Sequence, residues 1–293
     1  MMLARWLPID KPAGYTSHDV VAVARKRLGL RKIGHTGTLD PDATGVLVLA
    51  LGKATRLIQY LPGGKAYRAH IRLGLTTDTW DLSGQVLNTS PVPALTADQI
   101  REALVVFEGP QQQLPPMVSA VSYQGQRLYK LARQGIDVPE RPLRQVEIEH
   151  IQLQTWQTPD LVLDVSCSAG TYIRSLAHDL GQRLGCGAAL ASLVRTRANG
   201  VPLEICLSLD SLEPLSAVPE PGLLAEALLA HIPVLSLTAE VAQQLVYGQS
   251  PLWEAADSEL LRLHTPAGQF LGLGQIVQGQ LRSRLIMDPA LLE

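Results

Sequence analysis

The sequence predicts an α+β fold with a large first unit and a small, β-rich tail, and three observations carry that expectation. Helix-period and strand-period segments mix without a strict βαβ repeat, which argues against a doubly wound sheet. Residues 67–73 alternate cleanly, with Tyr67, Ala69, Ile71 and Leu73 on one side and Arg68, His70 and Arg72 on the other. Beyond a proline-rich stretch from Pro214 to Pro221, short strand-like runs recur between glycine-containing turns. At about 100–200 residues per domain, a chain of 293 residues suits two units, placed at 1–231 and 232–293 with the boundary near Ile232.

Taken in order, Ser17 is read as the N-cap of a helix over 18–28, with Val20, Val21, Ala24 and Leu28 at helical spacing and Gly29 as the left-handed stop. Residues 34–44 read as an ordered loop and 46–51 as a buried strand. Thr96 with Gln99 resembles a capping box opening a helix to Glu108, which the stretch 109–116 breaks. A loop and helix to Gln134 follow, then a strand over 161–167, a helix from Tyr172 to about Leu184, and a second short helical segment over 188–194. A helix near 223–230 precedes tail strands at 260–264, 270–276 and 281–287.

With 46% hydrophobic and 18% charged residues the chain is that of a folded globular protein, not a disordered one. The net charge of −2 hides a gradient: residues 1–75 carry +8, residues 76–200 carry −2 and residues 201–293 carry −8. The basic first quarter includes Arg25, Lys26, Arg27, Arg31 and Lys32, a candidate phosphate-facing surface or a solvated helix face. Three cysteines without paired C-x-x-C spacing, and no H-E-x-x-H, give no sign of a metal site or disulfide framework. The N-terminal segment lacks the apolar core of a signal peptide, and no uncharged apolar run of about 18 residues occurs, so a cytoplasmic protein away from membranes is expected.

No P-loop or Rossmann fingerprint is present, which disfavours nucleotide-cofactor chemistry. The loop 34–45, G-H-T-G-T-L-D-P-D-A-T-G, gathers His35, Asp40 and Asp42 among hydroxyls and glycines. It fits a carboxylate held against a ligand, or a turn whose aspartates bond their own backbone. In Gly170-Thr171-Tyr172-Ile173-Arg174, an arginine at a strand-to-helix turn is able to pair with a carboxylate elsewhere, or to lie on a helix surface.

Together these segments resemble the TruB family of pseudouridine synthases. The resemblance runs from D-K-P-A-G-Y-T-S at 10–17 through G-H-T-G-T-L-D-P at 34–41, L-G-K-A-T-R at 51–56, Y-R-A-H-I-R-L-G at 67–74 and T-D-T-W-D at 77–81. It continues in C-S-A-G-T-Y-I-R-S-L-A at 167–177 and a segment like G-A-x-L-x-x-L-x-R at 187–195. It implies a mixed, mainly antiparallel sheet flanked by helices and, more weakly, a small C-terminal β-barrel RNA-binding (PUA-like) domain. It implies three catalytic residues: Asp40 as the catalytic aspartate, Tyr67 stacking on the target uracil and assisting proton removal at C5, and Arg174 pairing with Asp40 and orienting it. Tyr172 and Leu193 would line the uridine pocket, His35 would fill space vacated by the flipped base, and Lys11 would support the fold. The implied activity is isomerisation of uridine 55 in the TΨC stem-loop of tRNA, without metal or cofactor, by a monomer with no obligatory protein partner. The guide-RNA-dependent relatives and a noncatalytic RNA-binding protein are the competing readings; this chain begins nine residues before D-K-P and ends acidic.

Overall fold

A computed structural model describes residues 3–218 and 220–287. Strand β1 (Ala4–Lys11) runs antiparallel to β3 (Thr44–Gly52), and between them lie helix α1 (Ser17–Leu28) and the short β2 (Ile33–His35), which folds back on β3. Then come β4 (Lys65–Leu73), a hairpin of β5 (Leu75–Thr77) and β6 (Val86–Thr89), α2 (Ala97–Val105) and β7 (Gly109–Gln113). A two-residue ladder of β8 (Ser122–Tyr123) and β9 (Gln126–Arg127) leads into α3 (Leu128–Arg133). The long β10 (Arg144–Gln157) and β11 (Asp160–Cys167) precede α4 (Ile173–Arg183) and β12 (Ala188–Ala198), followed by β13 (Val201–Pro202), β14 (Leu207–Ser208) and β15 (Leu223–Leu224).

The main sheet has the order β14-β1-β3-β12-β4-β11-β10-β7, with β2, β13 and β15 paired at its sides. Among the described strand pairs of this sheet only β1–β14 and β3–β12 are parallel, so the sheet is mixed and mainly antiparallel, as expected. One core packs α4 and α2 on the β4–β11 half through Ile71, Leu163, Leu176 and Ile100; a second packs α1 on β1 and β3 through Val20, Ala24, Leu7 and Leu49.

The helices expected to open near 17, 96 and 172 are present, the first with its cap shifted by one residue. Thr16, not Ser17, caps α1: its side chain accepts from the Asp19 N–H, and Asp19 accepts from the Thr16 N–H, while Gly29 closes the helix at φ 66°. Ser17 is buried and turned to other use, described below. Thr96 and Gln99 form the expected box.

Two expected helices are not helices. Residues 188–194 lie in β12, the strand between β3 and β4 at the middle of the sheet. Its Ala- and Leu-rich composition suits a helix, both of its faces are largely buried, and two register shifts against β4 interrupt its alternation, so neither propensity nor period marks it as a strand. Residues 223–230 give only β15 and a 3₁₀ turn at Ala227–Leu229, because this stretch lies flat on the edge of β1, where the Trp6 indole N–H donates to the Ala225 carbonyl at 2.8 Å. Strands β1, β7 and β10 were not anticipated; Pro8 disguises β1, and it sits between the stretches bonded by β15 at Arg5–Trp6 and β14 at Ile9–Asp10.

The tail forms a separate four-stranded sheet of β16 (Val234–Ser236), β17 (Ser258–His264), β18 (Phe270–Val277) and β19 (Gln280–Ile286), with α5 (Ala239–Val246) on it. Its edges β16 and β19 do not pair among the described residues, so the expected small barrel is not closed. Leu273, Leu285 and Met287 join Trp6, Val46 and Val48 in one core, which fastens the tail to the main sheet.

Candidate active site

The site grows from the seam where β3 and β12 run parallel, with Arg195 opposite Gly45. Gly45 sits at φ 100°, and a Cβ there would lie 2.3 Å from the Arg195 carbonyl oxygen, so the close approach requires glycine. The loop 36–43 rises from this seam and carries Asp40. It is tied from three directions. Leu39 N–H donates to Ser17 Oγ at 2.9 Å; Lys11 Nζ donates to the carbonyls of Pro12, Tyr15 and Pro41 at 2.9, 2.7 and 2.8 Å. Arg195 donates to the carbonyls of Val46, Thr38 and Gly37 at 2.7, 3.1 and 3.1 Å.

Lys11 and Arg195 are both fully buried. Burial pulls the Lys11 ammonium down to about 8, with Asp42 and Asp40 opposing the shift. Replacing Arg195 by methionine leaves the interior Val46 carbonyl without its donor and unties the Asp40 loop. At about 1–3 kcal/mol for a buried unsatisfied group, a melting temperature lower by about 4–10 °C is expected for Arg195→Met. A thermal melt checks it; an unchanged midpoint would remove the tether.

Asp40 meets Arg174 across this loop. Arg174, on the first turn of α4, places Nη2 at 2.9 Å from Asp40 Oδ2 and Nη1 at 3.5 Å from Asp81 Oδ2. It also donates to the carbonyls of Val118 at 2.8 Å and Thr79 at 3.3 Å. The arginine side chain is 4% exposed and that of Asp40 43%, so the guanidinium closes the site from behind while the carboxylate opens to its front. Burial raises the Asp40 pKa above the usual carboxylate range; Arg174 opposes the rise and Asp81 adds to it.

In front of the pair lies a cavity of about 240 Å³ lined by Asp40, Tyr67, Lys65, Tyr172, Arg174 and Leu193, among others. That falls below the ~300–1,000 Å³ of drug-sized pockets and suits a single flat ring. Tyr67 reaches it from β4, where it is paired across the ladder with Arg195 and Val165. Burial pushes its hydroxyl up to about 12, so the phenol is neutral. Tyr172 lines the cavity from the start of α4, its backbone N–H and C=O both bonded to the Gln113 side chain.

The structure thus brings Asp40, Tyr67, Arg174, Tyr172 and Leu193 together. His35 lies outside the cavity lining: its ring packs edge-on against His18 at 5.4 Å, and burial lowers its pKa. Among the basic residues, Arg25, Lys26, Arg31 and Lys32 are exposed, while Arg27 pairs with Asp210 at 2.8 Å. Arg25 also donates to the Ile33 carbonyl. Sequence reasoning assigned no role to Asp81 or Arg195, and read Lys65 only as one more positive residue of the basic first quarter. Each lay beside or inside a motif that it had singled out, and Lys65 shares a strand face with Tyr67 by the period of two.

Comparison with known proteins matches this architecture along nearly its whole length. Residues 25–173 match the TruB family pseudouridylate synthase N-terminal domain, 174–232 the tRNA pseudouridylate synthase B C-terminal domain, and 233–286 the pseudouridine synthase II TruB C-terminal domain. The chain belongs to the TruB family of pseudouridine synthases. A TruB relative named tRNA pseudouridine synthase B in Synechococcus elongatus is 46% identical over 286 residues, covering 95% of this chain and 96% of that protein. One of the same name in Acaryochloris marina is 43% identical over 285 residues, covering 96% and 98%. Among solved structures, an H/ACA RNP bound to a substrate RNA containing 2′-deoxyuridine superposes with a TM-score of 0.72 at 25% identity, covering 97% of this chain and 85% of that one. A Cbf5-Nop10-Gar1 complex gives 0.72 at 27% identity with the same coverage. The protein is a pseudouridine synthase, an isomerase.

Proposed function

We propose that this TruB-family protein isomerises the uridine at position 55 in the TΨC loop of tRNA, with Asp40 as the catalytic carboxylate and the target base flipped into the cavity. The observation that carries this reading is the Asp40–Arg174 pair at the mouth of a base-sized pocket that also holds Tyr67. The reaction breaks N1–C1′, turns the uracil and joins C5 to C1′, so no atom is gained or lost and no redox or energy cofactor is needed. Three routes are open to a carboxylate here: attack at C1′, attack at C6, or removal of the 2′ proton to give a glycal. All need an ionised group in a largely dry pocket. Arg174 supplies the cation that opposes neutralisation by burial.

Flipping the base costs a few kcal/mol, offset by stacking and hydrogen bonds in the pocket. Tyr67 lines the cavity beside Asp40, and we assign its ring to stacking on the uracil and its neutral hydroxyl to assisting proton removal at C5 by hydrogen bonding and not as a free base. Tyr67→Phe is expected to keep tRNA affinity within about threefold and to lose activity at least tenfold, since the ring remains and the hydroxyl does not. A fully active phenylalanine variant would leave Tyr67 only its stacking role.

The relatives named tRNA pseudouridine synthase B are 40–46% identical to this chain, against 25–27% for the RNP structures, which favours a free-standing monomer acting on tRNA over a guided enzyme. We place the catalytic unit at 1–231 and the tail at 232–293, in the cytoplasm. No helix among the described residues is long and apolar enough to cross a membrane. Incubation with an unmodified tRNA transcript, followed by pseudouridine mapping, tests the whole reading: modification confined to uridine 55 is expected, and an unmodified transcript would reject it.

The tRNA backbone is placed along the exposed basic residues of α1 and the turn after it. Neutralising Arg25, Lys26, Arg27, Arg31 and Lys32 together is expected to weaken binding and to flatten its salt dependence by roughly 0.7–0.9 in slope for each phosphate no longer neutralised. Arg27 contributes least because Asp210 already holds it. Truncation of the tail is not a clean comparison, since Leu273 and Leu285 share a core with Trp6. Substituting the exposed Arg282 and Arg284 is, and a larger fall in slope from that pair would move the RNA to the tail.

A further inference from the structure

The turn joining β5 to β6 places a bulky residue where glycine is the usual choice: Trp80 has φ 63°. The neighbours on both sides of it serve the active site. The Thr79 carbonyl accepts from Arg174 Nη1 at 3.3 Å, and the Asp81 carboxylate stands 3.5 Å from the same nitrogen. The turn is docked on β12 by two hydrogen bonds, Leu190 N–H to the Trp80 carbonyl and Leu82 N–H to the Leu190 carbonyl, each 3.0 Å. Its side chain is held separately. The indole stacks on His178 with ring centres 4.4 Å apart and planes 13° from parallel, and the Arg141 guanidinium carbon lies 5.4 Å from the indole centre.

His178 is one helical turn beyond Arg174, so both project from the same face of α4. The turn 77–84 therefore touches α4 at two points, the indole on His178 and the Thr79–Asp81 pair on Arg174. Burial, and after it the nearby Arg141, lowers the His178 pKa, which keeps the stacked ring neutral. His178 Nδ1 and Arg141 Nε are buried without hydrogen-bond partners among the described residues. Their contact with the indole is face-on packing and cation–π attraction.

We propose that Trp80 is a positioning residue: its stack on His178 and Arg141 holds the turn in its left-handed conformation, so that Thr79 and Asp81 fix the direction in which Arg174 presents itself to Asp40. The role rests on the reading of Asp40 and Arg174 as the catalytic pair. A small rotation of the guanidinium suffices to matter, because misplacement of a catalytic group by about 1 Å costs up to 10²-fold in rate.

The test is steady-state kinetics on an unmodified tRNA transcript with the full-length protein. Trp80→Ala is expected to lower kcat about tenfold or more with KM within about twofold, and Trp80→Phe, which can stack, to restore kcat to within about threefold of wild type. Trp80→Gly accepts the positive φ without strain but has no ring, and is expected to stay as low as the alanine variant. In an Asp81→Asn background Trp80→Ala is expected to cost much less than it does alone, because the two changes act on one turn. Recovery in the glycine variant, failure of phenylalanine to rescue, or multiplicative losses in the double variant would each overturn the role. Wild-type kcat in Trp80→Ala, alongside an inactive Asp40→Asn, would sink the positioning role alone. An active Asp40→Asn would sink the reading on which it rests.

Discussion

Asp40→Asn is expected to take pseudouridine formation to background, a loss of at least about 10³-fold, while tRNA affinity stays within about threefold. The asparagine keeps the size of the side chain and removes only the charge. Arg174 is not stranded by the change, since it retains Asp81 and the carbonyls of Thr79 and Val118. The basic residues of α1 lie on another element and are untouched. Stability should not fall and is expected to rise slightly. Asp40 has a pKa raised by burial, so its ionised form opposes folding at neutral pH, and the variant removes that opposition. Tritium release from C5-labelled tRNA, a binding isotherm and a thermal melt on one preparation give the three readings. Turnover near the wild-type rate would remove Asp40 from the chemistry; lost activity with a collapsed melt would make it a structural residue.

Legibility in the sequence followed the physics of each element. The strand carrying Tyr67 was readable because one face is buried and the other carries Arg68, His70 and Arg72, which pair with Asp164 and Asp160 on β11. The tail strands and both capped helices were readable for similar local reasons. Strand β12 was not: a strand buried on both faces at the centre of a sheet has no alternation to show, and its alanines and leucines favour a helix. The site divides the same way. Residues that face the pocket from a motif were identifiable, whereas Arg195, which acts by bonding two carbonyls of the distant Asp40 loop and that of Val46 on β3, looks in sequence like any arginine following a helical segment. Its role exists only after β3 and β12 come together. Charge patterning could not show that Arg27 is paired, because Asp210 lies 183 positions from it and only the fold joins them.

Arg174→Lys is expected to lower kcat about 100-fold, and Arg174→Met to lower it further. The planar guanidinium makes contacts in several directions at once: Asp40 at 2.9 Å, Asp81 at 3.5 Å and the carbonyls of Val118 and Thr79 at 2.8 and 3.3 Å. An ammonium has three donors at one point and cannot span that set, so some partners lose their donor in either variant. A buried carbonyl left unpaired costs about 1–3 kcal/mol, which makes a lower melting temperature part of the expected result. The discriminating measurement is the pH profile of kcat/KM. Asp40 must be ionised to act; its pKa is raised by burial, and Arg174 is the largest influence opposing the rise. Removing the guanidinium charge removes that opposition, so the pKa climbs and activity is lost at a higher pH as the solution is acidified. The acid limb of Arg174→Met should therefore lie above that of wild type, with Arg174→Lys between them because the lysine keeps the charge but not the geometry. A melt restored by a stabilising second substitution with kcat still depressed would separate catalysis from folding. Superimposable acid limbs in all three proteins would show that Arg174 does not govern the ionisation of Asp40, and would reduce it to a brace for the turns around Thr79 and Val118.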